Sequence, residues 1–157
     1  MTKKQVYLAG GIDKRKDRGT TWRRLITPHL ERLGYNVFNP CLNESPIYDK
    51  HEVRAEDLEP AKYVHNRDVL DAFWSEIVDK DLEAIADSSL MIVLYDDSVN
   101  DSGGTLGEMV LARFLKIPVL CIRYIAYERI PNFQKGCVYE YLDNIDECVK
   151  YIRKEFK

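Results

Sequence analysis

The sequence contains no apolar run near the roughly 20 residues needed to span a bilayer, so a membrane-embedded chain is not expected. Its first residues, MTKKQVYLAGGI, carry charge, but the apolar stretch is too short and too glycine-rich for a secretory signal, which makes the cytoplasm the expected location. Positive charge is not in excess: 23 Lys and Arg stand against 26 Asp and Glu, a net charge of −3. No global field therefore exists to hold a polyphosphate backbone, and a nucleic-acid polymer is an unlikely partner by charge, whereas a small phosphorylated ligand is compatible. The four cysteines, Cys41, Cys121, Cys137 and Cys148, are widely spaced and form no CxxC pair. His29, His51 and His65 lie at no metal-type spacing from them. Four buried free thiols in a reducing compartment, with no metal and no cofactor, is the expectation. Internal repeats and low-complexity tracts are also missing.

What is present is an ordinary globular composition, 45% hydrophobic and 31% charged over 157 residues, enough for one domain spanning 1–157. Gln5–Ala9 is a short apolar run closed by Gly10 and Gly11, the pattern of a buried strand entering a tight loop. A polar, locally basic loop follows, containing Lys14, Arg15, Lys16 and Arg18. Thr20 or Thr21 is placed to cap a helix carrying Trp22, Leu25, Ile26, Leu30 and Leu33, with Pro28 expected to kink it and Gly34 to end it.

Residues 35–40 read as a second strand stopped by Pro40, and 41–65 as a long, weakly periodic connection. Helical spacing returns from about Asp68 through Ile85, followed by the continuously apolar strand Leu90–Tyr95. A polar loop over 96–104, a helix bearing Leu106, Met109, Val110 and Phe114, and a strand over 117–122 come next. Residues 136–139 read as a short fifth strand, and the chain closes on an amphipathic helix with Ile145, Cys148, Val149 and Ile152. Strands alternating with helices imply a doubly wound, five-stranded parallel sheet of α/β, flavodoxin-like type with helices on both faces and strand order 2-1-3-4-5. Ligands in such sheets sit beyond the carboxyl ends of the strands, where the order reverses. Loops 10–19 and 95–105 and the segment after the fourth strand should meet there.

Those two loops hold the chemistry-bearing residues. Tyr7 lies near the end of the first strand, before Gly10 and Gly11; the later loop brings Asp101, Ser102, Gly104 and Thr105, with Glu108 one turn into the helix. Glycines admit a ligand close to the backbone, and a helix N-terminus offers free amides to anions. Each feature has a plainer structural reading. Thr105-x-x-Glu108 fits a capping box, the Asp-rich loop fits turn chemistry, the basic loop fits a solvated surface, and Asp81 fits a helix surface charge.

Taken in order, YLAGGI at 7–12, Asn39-Pro40, Lys80–Asp87 before an apolar strand, Gly104-Thr105-x-x-Glu108 and Pro118-Val119 make a pattern that resembles the nucleoside 2-deoxyribosyltransferase family. The related deoxynucleoside 5′-monophosphate N-glycosidases share this frame. The resemblance runs over residues 5–122, with a divergent stretch at 41–65. It implies that Glu108 is the nucleophile, that Tyr7 orients it, and that Asp81 contacts the nucleoside. The family's loop aspartate, six residues before the nucleophile, meets Ser102 here, with Asp101 one step earlier, so the group facing the base or a phosphate is open at this point.

The implied chemistry is a retaining double displacement. A carboxylate stabilises an oxocarbenium-like transition state, forms a glycosyl ester, and yields the sugar to a second base or to water. Glu108 must be ionised, which its helix N-terminal position favours. The departing base needs a proton from a carboxyl of raised pKa, for which Asp81 and Asp101 are the candidates. The expected partners are a nucleoside or nucleotide and a free nucleobase. Hydrolysis of a 5′-monophosphate by the same nucleophile and non-catalytic nucleotide binding are the alternatives. The apolar content of the helix around Phe73–Ile85, Trp74 included, and the family likeness both imply a homo-oligomer. Within 41–65, Tyr48, His51, Tyr63 and His65 are unranked candidates.

Overall fold

The computed structural model describes residues 4–58 and 67–156. Five strands, β1 (Gln5–Gly10), β2 (Asn36–Phe38), β3 (Ser88–Tyr95), β4 (Val119–Arg123) and β5 (Glu140–Leu142), form one sheet in the order β2-β1-β3-β4-β5. Every pairing is parallel. This is the flavodoxin-like α/β arrangement, and its strand order reverses between β1 and β3.

Successive side chains of a strand point to opposite faces, which divides the apolar runs into two cores. Tyr7, Ala9, Met91, Val93, Val119 and Cys121 face one side, against Ala84 and Ile85 of helix α4 (Arg67–Ala86) and Met109 and Ala112 of helix α6 (Gly104–Phe114). Val6, Leu8, Leu90, Ile92, Leu120 and Ile122 face the other, against Trp22, Ile26 and Leu30 of helix α1 (Thr20–Arg32) and Cys148, Val149 and Ile152 of helix α8 (Ile145–Glu155). Burial on both faces is why these strands read as continuous apolar runs rather than alternating ones.

Several local expectations are corrected. The connection after β2 is largely helical: α2 (Pro40–Asn43) and α3 (Ser45–His51) precede a 3₁₀ turn at Ala55–Leu58. Asn39 starts α2, its side chain accepting from the Cys41 amide at 3.0 Å. Helix α3 packs on the first half of α4, where Ile47 and Val53 meet Leu70, Phe73 and Ile77 in a third apolar cluster. Residues 96–104 are not a plain loop either, because Asp96 caps a one-turn helix, α5 (Asp97–Ser102), through the Ser98 amide. The fifth strand lies at Glu140–Leu142 instead of 136–139, since Asn132–Lys135 forms a short helix, α7, that carries Gly136 at its end. Neither Thr20 nor Thr21 caps α1. The Asp17 carboxylate accepts from the amides of Gly19 and Thr21 instead, and these bonds hold its carboxyl far below the usual range against the opposing effect of burial. Cys121, Cys137 and Cys148 are buried free thiols, but Cys41 is only half-buried.

No helix among the described residues is long and apolar enough to cross a membrane. No group of three or more His, Cys, Asp or Glu among them is arranged to hold a metal ion.

Candidate active site

A cleft of about 510 Å³ opens beyond the carboxyl ends of β1 and β3, at the reversal of strand order. Gly10 at the end of β1, Ile12 and Asp13 after it, and Pro40, Glu44 and Tyr48 from α2, α3 and the junction between them line it. Helix α4 supplies Trp74, Ile77, Val78, Asp81 and Leu82, while Ser102, Gly104, Thr105 and Glu108 close the far side. Val78 and Leu82 are two of the three exposed large apolar residues of the long helix, with Val69 the third. Here Val78 and Leu82 line the cleft, so part of the surface expected to mark a subunit interface faces a pocket.

Glu108 and Tyr7 lie 101 positions apart in sequence and meet at the cleft: the Tyr7 hydroxyl donates to Glu108 Oε1 at 2.7 Å. Tyr7 reaches this position because β1 buries it completely, with its ring stacked on Phe38 at 5.3 Å. Glu108 is the fifth residue of α6, and its carboxylate turns to Tyr7 instead of sealing its own helix, whose N-cap Gly103 has no side-chain cap. The Thr105-x-x-Glu108 capping box is therefore not formed. Burial pushes the Glu108 carboxyl up to about 7, with the Tyr7 hydrogen bond and the Arg23 cation pulling down and Asp81 pushing up. The expected depression by the helix N-terminus is outweighed by desolvation. Tyr7, desolvated and facing Glu108 and Asp81, is held well above its ordinary range and stays a proton donor.

Asp81 is no surface charge. It is 9% exposed, with Oδ1 buried and without a hydrogen-bond donor. Beside it stands Glu44, 8% exposed, a residue the sequence reading passed over. Burial drives the Glu44 carboxyl up to about 9, and the neighbouring Asp81 and Glu108 carboxyls add to that rise. Asp81 is raised by burial too, against the lowering effects of Glu44, Lys80, Arg23 and Tyr7. Burial thus holds both neighbouring carboxyls above their ordinary range.

Arg23 is the cation of the site, also unranked by sequence. It is fully buried and donates to the carbonyls of Leu8 at 3.3 Å, Gly10 at 3.1 Å and Gly19 at 2.8 Å. These bonds clamp the β1–α1 loop. Gly19 has φ 74°, and a Cβ there would overlap both Arg23 Nη1 and the Gly11 carbonyl.

The remaining predicted residues divide. Gly10, Ser102, Gly104 and Thr105 line the cleft, whereas Asp101 is exposed and does not. Gly11 is outside the lining too, packed so closely on Ser98 that a Cβ would overlap its hydroxyl. The basic loop is largely committed internally, with Arg15 paired to Asp17 and Asp96 and Arg18 to Asp13. Tyr48 lines the cleft, but His51 lies against Glu76 at 2.6 Å; Tyr63 and His65 fall outside the described residues.

No family model matches this chain, and neither does any curated protein. Solved structures do. The 2-deoxyribosyltransferase from the psychrotolerant bacterium Bacillus psychrosaccharolyticus superposes with a TM-score of 0.65 at 19% identity, covering 94% of this chain and 91% of its own. The CMP N-glycosidase of Clostridium botulinum gives 0.58 at 17% identity, covering 96% and 98%. At such identities the likeness establishes a shared fold over nearly the whole length of each chain.

Proposed function

We propose that this chain is a glycosyl-transfer enzyme that breaks the N-glycosidic bond of a 2′-deoxynucleoside and passes the sugar to another nucleobase, with Glu108 as nucleophile. The observation that carries this reading is the 2.7 Å bond from Tyr7 to a Glu108 carboxylate that faces a cleft instead of its own helix. The fold shared with a 2-deoxyribosyltransferase over 94% of the chain supports it further.

In this reading Glu108 attacks C1′ and forms a glycosyl ester. Tyr7 holds Oε1 in place and stabilises the ionised form. Since burial lifts Glu108 to about 7, its ionised fraction, and with it the rate, rises with pH through that value. Tyr48 and Trp74 offer aromatic surface, and Ile77, Val78 and Leu82 an apolar wall, for a planar base. Asp81 contacts the base and passes it a proton as it departs. The second base then attacks from the face the first one left. A homo-oligomer belongs to this reading, with a neighbouring copy covering exposed apolar surface beside the cleft.

A second reading, hydrolysis of a deoxynucleoside 5′-monophosphate, is favoured by one observation: Ser102 and the N-terminal turn of α6 line the cleft, where a hydroxyl and free amides suit a phosphate. Against it, Arg15 and Arg18 already pair with carboxylates. Incubation with a deoxynucleoside and a different free base separates the two. A swapped nucleoside is expected. Free sugar phosphate from a deoxynucleotide without exchange would favour the second reading, and no consumption of either substrate would overturn both.

A further inference from the structure

Asp81 can pass a proton to the departing base at neutral pH only if a proton is held beside it until then. Three carboxyls, Glu44, Asp81 and Glu108, line one cleft with a single buried arginine behind them. Three adjacent carboxylates cannot all be ionised at once cheaply, because like charges at close range in a desolvated site repel strongly. Glu44 and Asp81 both line the cleft and are nearly fully buried, and Asp81 Oδ1 is buried with no hydrogen-bond partner among the described residues.

We infer that Glu44 is the proton store of the site, a positioning residue that acts through Asp81 to protonate the leaving nucleobase and that takes the proton back when the acceptor base enters. This rests on the glycosyl-transfer reading.

The step balances. Before attack the site holds the Glu108 carboxylate and a Glu44–Asp81 pair sharing one proton. The C1′–N bond breaks and its electron pair goes to the base, which takes the shared proton. Glu108 forms a C1′–O bond and becomes a neutral ester, while the pair becomes fully ionised. The three carboxyls carry two negative charges before and after, so Arg23 faces an unchanged total. Moreover, the Glu108 charge is one of the forces that keep the proton on Glu44. Esterification removes that charge, and Glu44 becomes a stronger acid as the base leaves. Attack of the second base reverses both changes.

Other groups around the pair are Tyr7 from β1, Arg23 from α1, Cys41 from α2, Tyr48 from α3 and Lys80 next to Asp81 on α4. Tyr7 and Tyr48 are raised by burial, Tyr48 to about 12, so neither competes as an acid near neutrality. Cys41 is raised by burial as well.

The test compares two deoxyribosyl donors in the wild-type protein, a natural deoxynucleoside, whose base must be protonated, and 4-nitrophenyl 2-deoxyriboside, whose leaving group departs as an anion. The rate with the nucleoside is expected to fall at alkaline pH, through about 9, as Glu44 loses its proton; the nitrophenyl donor should lack that limb. Glu44→Gln is expected to slow the nucleoside roughly 10²-fold or more, the scale of general acid catalysis, and the nitrophenyl donor less than about 10-fold. The same alkaline limb with both donors, or a Glu44→Gln variant with the wild-type profile, would overturn the inference while leaving Glu108 as nucleophile. If the variant does not fold, the wild-type comparison decides alone. If neither donor turns over, the enzymatic reading fails, and infrared spectroscopy decides the proton's location. In wild-type protein at pH 8 a protonated-carboxyl band that is missing from Glu44→Gln is expected, and its absence from the wild type would show that Glu44 holds no proton.

Discussion

Tyr7→Phe removes one atom from the candidate site, and its effect can be worked through in advance. The Tyr7 ring is fully buried and stacked on Phe38, so phenylalanine keeps the packing and deletes only the hydroxyl that donates to Glu108 at 2.7 Å. A hydrogen bond to a charged group is worth about 1.5–3 kcal/mol, and about 1.4 kcal/mol corresponds to one pH unit of titration. Glu108, which titrates near 7 with the bond in place, should then titrate roughly one to two pH units higher. At pH 7 the ionised fraction drops from about half to between a tenth and a hundredth, a loss of roughly 5- to 50-fold in kcat/KM. At pH 8.5 the deficit relative to wild type shrinks to about fourfold or less by the same arithmetic. The assay is the pH profile of base exchange for both proteins. A deficit that stays constant from pH 6 to 9 would refute the claim that Tyr7 works by stabilising the Glu108 anion.

Other expectations follow from the same geometry. Glu108→Gln should abolish exchange. Because the folded value of Glu108 lies above its unfolded one, its contribution to stability is complete at low pH and is lost as pH rises through about 7. The variant and wild type should therefore differ least at pH 4, with the variant more stable at pH 8.5, and a variant that melts earlier at pH 8.5 would contradict this. Arg23→Met strips donors from three buried carbonyls and leaves the carboxyls without their cation, so denaturant titration should show a loss of about 3–5 kcal/mol; a loss under about 1 kcal/mol would mean the cation is dispensable. Gly19→Ala should cost more than about 1 kcal/mol, since it combines a left-handed φ with overlap onto Arg23 and Gly11.

The sheet was legible because its strands are buried on both faces, and unbroken apolar runs such as Leu90–Tyr95 have few other readings. Tyr7 and Glu108 came from an ordered resemblance, since spacing alone favoured a capping box that the structure does not form. Asp81 was harder to read. It follows Asp79 and Lys80 on a 20-residue helix, and only tertiary packing turns it inward. Glu44 gave no signal because α2 and α3 are four and seven residues long and bury only Pro40 and Ile47, too few to set up a helical period. Arg23 was hidden for a related reason: an arginine on an amphipathic helix reads as solvated, and its burial depends on carbonyls of β1 and the following loop. Asp101 shows the opposite error, an acidic residue in the right loop that the α5 turn leaves outside the cleft.

The most direct measurement is to trap the reaction half-way. A 2′-deoxy-2′-fluoro nucleoside slows release of the sugar by destabilising positive charge at C1′, and the quenched protein is digested and weighed by mass spectrometry. Glu108 as nucleophile predicts that its peptide gains the mass of the fluorosugar and that Glu108→Gln protein gains nothing. A sugar found on another residue, or turnover with no adduct under any condition, would contradict a covalent mechanism at Glu108.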